Sequence, residues 1–554
     1  MATIAIAVGI VVTLCSLAAP LAQAAWVPNG TSVCVASGDQ IDPVVTADGA
    51  GGAIIIWQDH RNGVDYDIYA QRLNADGSSA WEDPVPISTA SGAQSWVRAI
   101  SDGQQGAIVV WQSGEPGNRY VYVQRITSAG ATVWATNGMR VCIASSRDES
   151  APAIIEDGTG GALVAWVGEG FGTFEADIFI QRVSSAGELR WGPWGVTVCA
   201  ADGDQNAIQM TADGSGGAVL AWHDHRSGTE FGNDLYAQHV LADGAMGWTV
   251  ANGTVVFSEI GAEALRGIFS GTEHGTNFVW DKGEGRGRSQ RFNDAGLAQW
   301  GENGVSVFDD TIDSWIIASA SDGAGGVIVG WKDFYALGYI WLRGVRLDVN
   351  GTSAWSDAVI WSSQTDVYGG ACIEDGAGGA IFTMYADNIY AQRLDASGAR
   401  RWGDGPAVLC GSSGEQRDTG ACSDDIGGAI VAWQDYRNGN WDIYAQVISN
   451  EGEVGAFWAQ PAAPATLKAT MNNSRRITLD WDAVDRVTSY AIWRAPTGGQ
   501  LVPIDTVAAG TTLYSDERGL AAGASYEYAL QAINPRGAST LSPTTTVTTN
   551  HLPV

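Results

Sequence analysis

The sequence predicts an all-β protein made of eight similar four-stranded units, followed by a smaller β domain. Two markers each recur eight times along the chain, at intervals of about 50 residues. The first is an aromatic residue that ends an apolar run, with the copies Trp57, Trp111, Trp166, Trp222, Trp280, Trp331, Tyr385 and Trp433. The second is a Trp that follows a turn glycine, with the copies Trp81, Trp134, Trp191, Trp248, Trp300, Trp355, Trp402 and Trp458. Four short strands in a unit of this length are typical of one blade, so the repeat predicts an eight-bladed β-propeller.

The turn signals within each unit predict its four strands. In the first unit, residues 41–49 lead into an Asp-Gly turn, residues 51–59 follow it, and residues 67–77 form a third segment with alternating apolar residues. The fourth strand follows the second Trp, as residues 140–145 follow Trp134. Asp-Gly between two apolar runs favours a hairpin, and alternating β-branched residues favour strands. The 72 glycines and 24 tryptophans suit many tight turns around buried rings.

The start of the repeat predicts how it closes. From Trp26 the sequence reads WVPNGTSVCVAS, which matches a fourth strand, whereas the eighth unit stops at Trp458 before any fourth strand. We therefore expect residues 31–36 to pair with the third strand of the eighth unit, near residues 442–448. This pairing would close residues 25–458 into a ring and remove the unpaired strand edges of an open array.

Residues 1–24 form an apolar segment that ends in Ala22-Gln23-Ala24. This pattern is typical of a secretory signal peptide cleaved before Ala25, and it predicts a secreted protein, extracellular or periplasmic. Because no Lys or Arg precedes the apolar run, an uncleaved membrane anchor is the alternative. No later segment is apolar over the ~18 residues that a membrane span requires, so we expect no membrane contact after cleavage.

The composition of the chain changes after the repeat. A linker at 459–464 leads into residues 465–550, which read as short strands without the Gly-Gly turns of the repeat. Trp481 lies in the second of these strands, Tyr490 in the third, and Tyr526 near the start of a later one. This pattern resembles a fibronectin type III domain, in which Tyr526 would be the corner tyrosine. The resemblance implies a spacer or adhesive module without catalytic residues.

The charge of the chain argues against one class of partner. Asp and Glu number 61 against 30 Lys and Arg, which gives a net charge of −31. A field of this sign repels phosphate backbones, so nucleic acid is not an expected partner. The acidity suits solubility outside the cell, and cation binding is the alternative interpretation.

One hairpin loop recurs with nearly the same residues in the first, fourth and eighth units. In a propeller this loop lies on the face where ligands usually bind, so its residues are the candidate ligand-binding residues: Asp59, His60, Arg61, Asp224, His225, Arg226, Asp435, Tyr436 and Arg437. The repetition nevertheless favours a structural role, a clamp in which Arg61 binds the carboxylates of Asp59 and Asp67. No cofactor is expected. A calcium site on this face is an alternative, although the contiguous acidic loop of calcium-binding motifs is absent.

The loop phrase, in which Arg and Gly precede Asp-Ile-Tyr, resembles the repeats of TolB-type propellers. The resemblance covers one hairpin per unit and fails in the fifth unit, which reads WDKGEGRGRSQRF. The Asp-box of sialidases, S-x-D-x-G-x-x-W, is not matched by residues 48–57, which read DGAGGAIIIW. These resemblances imply a fold and leave the activity open.

Six cysteines follow the signal segment, at two recurring positions. Cys34, Cys142, Cys199 and Cys410 share one position, and Cys372 and Cys422 share another. Recurrence at fixed positions favours small buried side chains, and metal-ligand spacing such as C-x-x-C is absent. A disulfide between Cys410 and Cys422 is the alternative.

The sequence favours binding over catalysis. It has no nucleophile elbow, phosphate loop or zinc-protease motif, and groups repeated around a ring suit a structural or multivalent role better than one catalytic centre. We expect a secreted monomer that binds or scaffolds an extracellular protein or carbohydrate and has no hydrolase activity. The alternative is a polysaccharide-active enzyme, a glycoside hydrolase or lyase, with its site at the central channel. Acidic residues that converge at the channel mouth would favour the enzyme.

Overall fold

The structure is a computed structural model. It describes residues 26–550 except for 144–147, 170–174, 228–233, 259–262, 272–274, 283–284, 310–313, 335–338, 457–460, 474, 485–486 and 535. All regular secondary structure within these ranges is β-strand, so none of it supplies an apolar helix that could cross a membrane. The predicted signal segment 1–24, Trp458 and part of the predicted linker lie outside the described residues.

Eight four-stranded sheets occupy the described residues up to 456. The first strand, β1 (Thr31–Cys34), belongs to sheet 8. Sheets 1 to 4 then follow in chain order: β2 (Gln40–Ala47), β3 (Ala53–Asp59), β4 (Asp67–Leu73) and β5 (Val85–Ser88); β6 (Gln94–Ser101), β7 (Ala107–Ser113), β8 (Tyr120–Ile126) and β9 (Met139–Arg140); β10 (Glu149–Glu156), β11 (Ala162–Glu169), β12 (Ala176–Val183) and β13 (Val196–Cys199); β14 (Gln205–Ala212), β15 (Ala218–Asp224), β16 (Asp234–Val240) and β17 (Thr254–Phe257).

Sheets 5 to 8 continue the same order. Their strands are β18 (Glu263–Ser270), β19 (Thr276–Lys282), β20 (Arg286–Phe292) and β21 (Val305–Asp309); β22 (Ser314–Ser321), β23 (Val327–Phe334), β24 (Ile340–Leu347) and β25 (Ser353–Ser363); β26 (Tyr368–Glu374), β27 (Ala380–Tyr385), β28 (Ile389–Leu394) and β29 (Ala407–Cys410); β30 (Gln416–Ser423), β31 (Ala429–Asp435) and β32 (Asp442–Ile448).

Sheet 8 obtains its fourth strand from the beginning of the chain. Neighbouring strands in sheets 1 to 7 are consecutive and antiparallel, whereas the order in sheet 8 is β1-β32-β31-β30. Thr31 is paired with Ala445, and Cys34 with Ile443. The predicted pairing of residues 31–36 with residues 442–448 is confirmed.

The apolar core is divided into clusters that lie between consecutive sheets. The tryptophans of the second strands, such as Trp57 and Trp111, are buried there, whereas the seventh copy, Tyr385, is half-buried. The last of these clusters joins residues of sheet 8, such as Ile430, to residues of sheet 1, such as Ile55. The first strands of the sheets also contact one another in order, from β2 to β30, and β30 contacts β2. The series of inner strands therefore returns to its start.

The described tryptophans of the second set connect neighbouring sheets. The Trp81 ring packs on Gly130, and its Nε1 donates a hydrogen bond to Ser128 O in sheet 2 at 2.9 Å. Trp26, which precedes β1 of sheet 8, makes the same contact with sheet 1, because its Nε1 donates to Ala75 O at 2.9 Å. Trp402 makes this contact from sheet 7 to sheet 8, and Trp26 makes it from sheet 8 to sheet 1.

An aspartate organises the turn between the first and second strands. In sheet 1, Asp48 Oδ1 accepts hydrogen bonds from the N–H groups of Ala50 and Gly52, both at 2.8 Å, and Oδ2 binds Arg72 Nη2 at 2.8 Å. Arg72 Nη1 also donates to Ser128 O of sheet 2 at 3.3 Å. This arginine therefore supports its own turn and the junction with the next sheet.

The C-terminal part of the chain is a two-sheet sandwich. One sheet has the order β33-β34-β37, and the other has the order β36-β35-β38-β39, with β40 also paired to β38. Trp481, Tyr490 and Tyr528 are buried between the sheets. The strands are β33 (Lys468–Asn473), β34 (Arg476–Asp480), β35 (Ser489–Pro496), β36 (Val502–Ala508), β37 (Leu513–Asp516), β38 (Ser525–Asn534), β39 (Gly537–Ala538) and β40 (Thr545–Thr548).

The cysteines after the signal segment are small buried or half-buried side chains. Cys410 and Cys422 are both free thiols, so the alternative of a disulfide between them is wrong. Each packs in an apolar cluster between sheets.

Candidate functional site

The repeated loop forms the same clamp in sheets 1, 4 and 8. The Asp59 carboxylate accepts hydrogen bonds from Arg61 Nε at 2.9 Å, Arg61 Nη2 at 2.6 Å and Trp57 Nε1 at 2.7 Å. The guanidinium also lies 3.9 Å from the ring centre of Tyr69 and 3.2 Å from Cys34 Sγ. The other two clamps repeat these contacts: Arg226 with Asp224, Tyr236 and Cys199, and Arg437 with Asp435, Tyr444 and Cys410. The predicted ion pair between each loop Arg and an Asp of its own hairpin is confirmed.

Asp67 is not part of the clamp. Asn62 Nδ2 donates a hydrogen bond to Asp67 Oδ2 at 3.0 Å, and Asn438 binds Asp442 of sheet 8 in the same way at 2.6 Å. Both Nε and Nη2 of Arg61 are already directed at Asp59. The expectation that Arg61 holds two carboxylates is therefore wrong, because a shorter amide side chain reaches the second one.

Burial and charge pairing together stabilise the clamp. Asp59, Asp224 and Asp435 are 0% exposed, so each needs a cation and hydrogen-bond donors inside the protein. Burial alone would lower the pKa of Arg61, but the bond with Asp59 outweighs it and the pKa is raised. Burial also raises the pKa of Cys34 to about 11, so the thiol stays protonated at neutral pH. The charged groups of the clamp therefore satisfy one another.

The middle residues of the loops have different surroundings. The His60 ring lies 5.0 Å from that of Tyr66, His225 Nε2 lies 3.3 Å from Asn206, and the exposed Tyr436 contacts Trp441. The main-chain N–H of His60 donates to Asp39 O at 2.8 Å, which places the loop beside the connection between sheets, as predicted. Sheets 1 and 8 are neighbours, whereas sheet 4 contacts sheets 3 and 5, so the three loops do not form one site.

A second recurring feature lies on the inner strands. The first strands of five sheets contain a bulge whose first residue has a φ angle between 49° and 57°, and these residues are Asp42, Trp96, Ala151, Ala207 and Asp418. Positive φ is uncommon for residues other than glycine, and for a bulky side chain it is an outlier. Trp96 is therefore the costliest of the five, and it is also 52% exposed.

Trp96 lies at the edge of a cleft of about 440 Å³. Sheets 7, 8, 1 and 2 contribute its polar and aromatic lining: Asp42, Gln58, Trp96, Arg98, Tyr385 and Asp418. A second cavity of about 730 Å³ is lined by the first strands of sheets 2 to 6 and shares Trp96 and Arg98 with the cleft. The sequence analysis missed these residues, although Trp96 departs from the Asp and Ala of the other bulges.

Arg98 is the cation of the cleft. Its Nη1 donates a hydrogen bond to Val97 O at 2.8 Å, and its guanidinium lies 5.9 Å from the Trp96 ring centre. The side chain is reached by solvent but closely surrounded by protein, and the desolvation caused by this surrounding lowers the pKa of Arg98. Within the described residues no carboxylate forms an ion pair with Arg98, so the guanidinium is available to a ligand.

The lining of the cleft also contains two carboxylates, Asp42 and Asp418. Burial raises the pKa of Asp418, and the nearby Asp42 raises it further against the opposing effect of Arg417. Burial also raises the pKa of Tyr385 to about 12, and its hydroxyl donates to Asp418 Oδ1 at 3.4 Å. Gln58 Nε2 donates to Asp42 Oδ2 at 2.5 Å. The cleft thus combines an aromatic face and a cation with hydrogen-bonded carboxylates.

The residues that the structure describes contain no group of three or more His, Cys, Asp or Glu side chains placed to hold a metal ion.

No protein-family profile and no curated protein matches the chain. Among solved structures, an Fn3-like protein from Clostridium thermocellum is similar over 17% of this chain and 100% of its own length, with 26% identity and a TM-score of 0.15. The FN5 domain of Drosophila Lar is similar over 17% of this chain and 99% of its own, with 25% identity and a TM-score of 0.15. A puromycin hydrolase is similar over 72% of this chain and 58% of its own, with 14% identity and a TM-score of 0.43. The chain is an all-β protein of repeated four-stranded sheets, and its C-terminal part is similar to fibronectin type III structures.

Proposed function

We propose that sheets 1 to 8 form one eight-bladed β-propeller of the TolB-like kind, followed by a fibronectin type III domain at residues 465–550. The cyclic contacts of the inner strands and the shared core of sheets 8 and 1 support the ring. The sandwich topology supports the second assignment, as does Tyr526, whose Oη accepts a hydrogen bond from Ala521 N at 2.9 Å. Residues 1–24 would direct the protein out of the cytoplasm.

We further propose that the protein is an extracellular binding protein whose ligand, a carbohydrate, occupies the central cleft. The observation that carries this proposal is Trp96, which is 52% exposed and has a φ of 57°. Exposure forgoes the burial of a large apolar ring, and positive φ adds backbone strain. Strained residues of this kind concentrate at binding sites, where contacts with a ligand offset the free energy that exposure and strain cost the free protein.

The surroundings of Trp96 fit a sugar better than an apolar molecule. The flat ring can stack on the C–H face of a pyranose, while Arg98, Asp42 and Gln58 offer donors and acceptors to its hydroxyl groups. The loop clamps have no comparable unpaired groups, so we assign them to structure.

A glycan screen with the secreted form tests this function. We expect wild-type protein to bind at least one class of glycan, and Trp96→Gly to lose affinity for it by at least about tenfold. Glycine adopts positive φ without strain, so the variant should keep its fold. The matched control is Trp194→Ala, because Trp194 is 43% exposed but does not line the cleft. Equal binding by wild type and Trp96→Gly would refute the cleft as the site.

The two carboxylates of the cleft favour a second candidate, a polysaccharide-active enzyme. A raised pKa suits Asp418 to act as a general acid, and Asp42 would be the second carboxylate of such a pair. We expect purified protein to show no turnover of common polysaccharides. If it does, Asp418→Asn should abolish turnover and leave glycan binding in place. Loss of both together would point to misfolding, which circular dichroism would show.

A further inference from the structure

The junction between sheets 8 and 1 lacks a residue that other junctions have. In five sheets an arginine near the end of the third strand binds the turn aspartate of its own sheet, and these are Arg72, Arg125, Arg182, Arg346 and Arg393. Sheet 4 uses His239 in the same place. Sheet 5 has Arg291, whose Nη1 donates to Gly325 O of sheet 6 at 2.6 Å. Sheet 8 has Val447 at this position, so it supplies no cation to its junction with sheet 1.

An arginine of the C-terminal domain lies in the corresponding place. Arg536 Nη2 donates to Asp424 O of sheet 8 at 2.5 Å and to Gly51 O of sheet 1 at 3.4 Å. Gly51 comes three residues after the turn aspartate of its sheet, as Gly325 does in sheet 6. Arg536 and Arg291 therefore donate to the same carbonyl of the repeat, from different domains.

We propose that the C-terminal domain docks on the junction of sheets 8 and 1 and supplies, through Arg536, the cation that sheet 8 lacks. The domain is then a latch on the place where the two ends of the repeat meet.

The turn residues at this junction fit a guanidinium. A Cβ atom on Gly51 would lie 1.9 Å from the guanidinium atoms of Arg536, so a larger residue has no room there. In sheet 2 the equivalent residue is Gln105, whose Oε1 accepts from Arg72 Nη2 at 2.7 Å. Gln105 is the exception, because glycine recurs at this turn position as Gly160, Gly216, Gly325, Gly378 and Gly427. Gly51 therefore keeps the ordinary glycine of the turn, and the guanidinium of Arg536 occupies the space beside it.

The turn aspartate of sheet 8, Asp424, also differs from that of sheet 3, Asp157, in the direction of its pKa shift. Burial raises the pKa of Asp424, and Arg536 opposes this only in part. Burial would also raise the pKa of Asp157, but hydrogen bonds from its turn and from Arg182 lower it instead. Asp425 Oδ2 adds a further bond across the junction by accepting from Gly51 N at 3.0 Å. The junction therefore depends on residues outside the repeat pattern.

Hydrogen exchange of the full secreted chain, read by mass spectrometry, tests the latch. In Arg536→Gln we expect the amides of residues 49–52 and 424–428 to exchange about tenfold faster, the effect of losing hydrogen bonds to one charged group. The equivalent turn of sheet 2, residues 102–106, should be unchanged. Unchanged exchange at residues 49–52 and 424–428, or an equal increase at every turn, would overturn the proposal.

A rescue and a control separate the latch from general damage. Val447→Arg in the Arg536→Gln background should restore slow exchange, because it supplies the arginine of the other sheets from within sheet 8. Arg475→Gln, which alters an exposed arginine of the same domain, should leave the junction unchanged. Protection that rises with protein concentration would also overturn the proposal, because Arg536 would then come from a second copy.

Discussion

The loop clamps and the central cleft both stand at recurring positions, yet they differ in how their residues recur. At the clamp the same residues return in sheets 1, 4 and 8, and their charges pair with one another inside the protein. At the bulge the positive φ angle recurs but the side chains differ, and those of Trp96 and Arg98 line the cleft. In this repeat the constant residues form the clamps, and the residues that depart from it form the site at which we propose that a ligand binds.

The largest effect is expected for the segment that completes sheet 8 and contacts its clamp. Residues 25–38 contain β1, and Asn29 O accepts a hydrogen bond from Arg437 of the eighth clamp at 2.8 Å. Deleting residues 25–38 should lower the free energy of unfolding by at least about 5 kcal/mol, because it removes a strand and the Trp26 contact together. Thermal unfolding followed by Trp fluorescence measures this loss. An unchanged midpoint would contradict the pairing of the two ends.

A single substitution in a clamp should have the next largest effect. Asp435→Ala removes the buried carboxylate that pairs with the guanidinium of Arg437 and accepts from the indole N–H of Trp433, and should cost about 3–5 kcal/mol in urea denaturation. Asp42→Asn in the cleft is the matched control and should cost less than about 1 kcal/mol. If both substitutions cost the same, the distinction between clamp and cleft fails.

His223 of sheet 4 holds the first strand of sheet 5 through a hydrogen bond, and its protonation should therefore affect stability. Its Nε2 accepts from Leu265 N at 3.0 Å, as Gln434 Oε1 accepts from Asp42 N at 2.9 Å. Burial, with help from His225 and Arg266, lowers the pKa of His223 to about 4 from its usual 6.5. Below pH 6.5 His223 is protonated in the unfolded chain but stays neutral in the folded protein. The free energy of unfolding therefore falls by about 3 kcal/mol between pH 6.5 and 4.

The substitution His223→Gln removes this titration and keeps the acceptor. The difference in unfolding free energy between wild type and variant should therefore shrink or change sign as the pH falls from 7 to 4. Parallel pH profiles for the two proteins would show that His223 is not held neutral in the fold.

The smallest effect on stability is expected for Trp96, the residue on which the proposed binding site most depends. Trp96→Gly should change the free energy of unfolding by less than about 1 kcal/mol, because relief of positive φ offsets the loss of a half-exposed ring. Chemical denaturation measures it. A loss above about 3 kcal/mol would place Trp96 in the structural class with the clamps.

Local sequence pattern predicted the strands, the pairing of β1 with β32 and the ion pairs of Arg61, Arg226 and Arg437. Those features depend on neighbouring residues or on a repeated phrase. A site at the central channel was only the alternative prediction, and its residues were not predicted, because Asp42 and Tyr385 are far apart in sequence and line one cleft only in the folded protein. The positive φ of Trp96 also leaves no mark in composition, since tryptophan in a strand is ordinary. The position of Arg536 was not predicted either, because it depends on a contact between domains and Arg536 lies outside the repeat.

The pairing of β1 with β32 also sets an order of events in folding. Thr31 meets Ala445 only after more than 400 intervening residues have been made, so this contact has a very high sequence separation. Seven sheets can form from neighbouring segments, whereas β1 and Trp26 must wait with an unpaired edge until the last sheet exists. Until then this unpaired strand is the part of the chain most prone to pair with another molecule. The rate of joining the ends, rather than the stability of any sheet, should then limit the yield of folded protein.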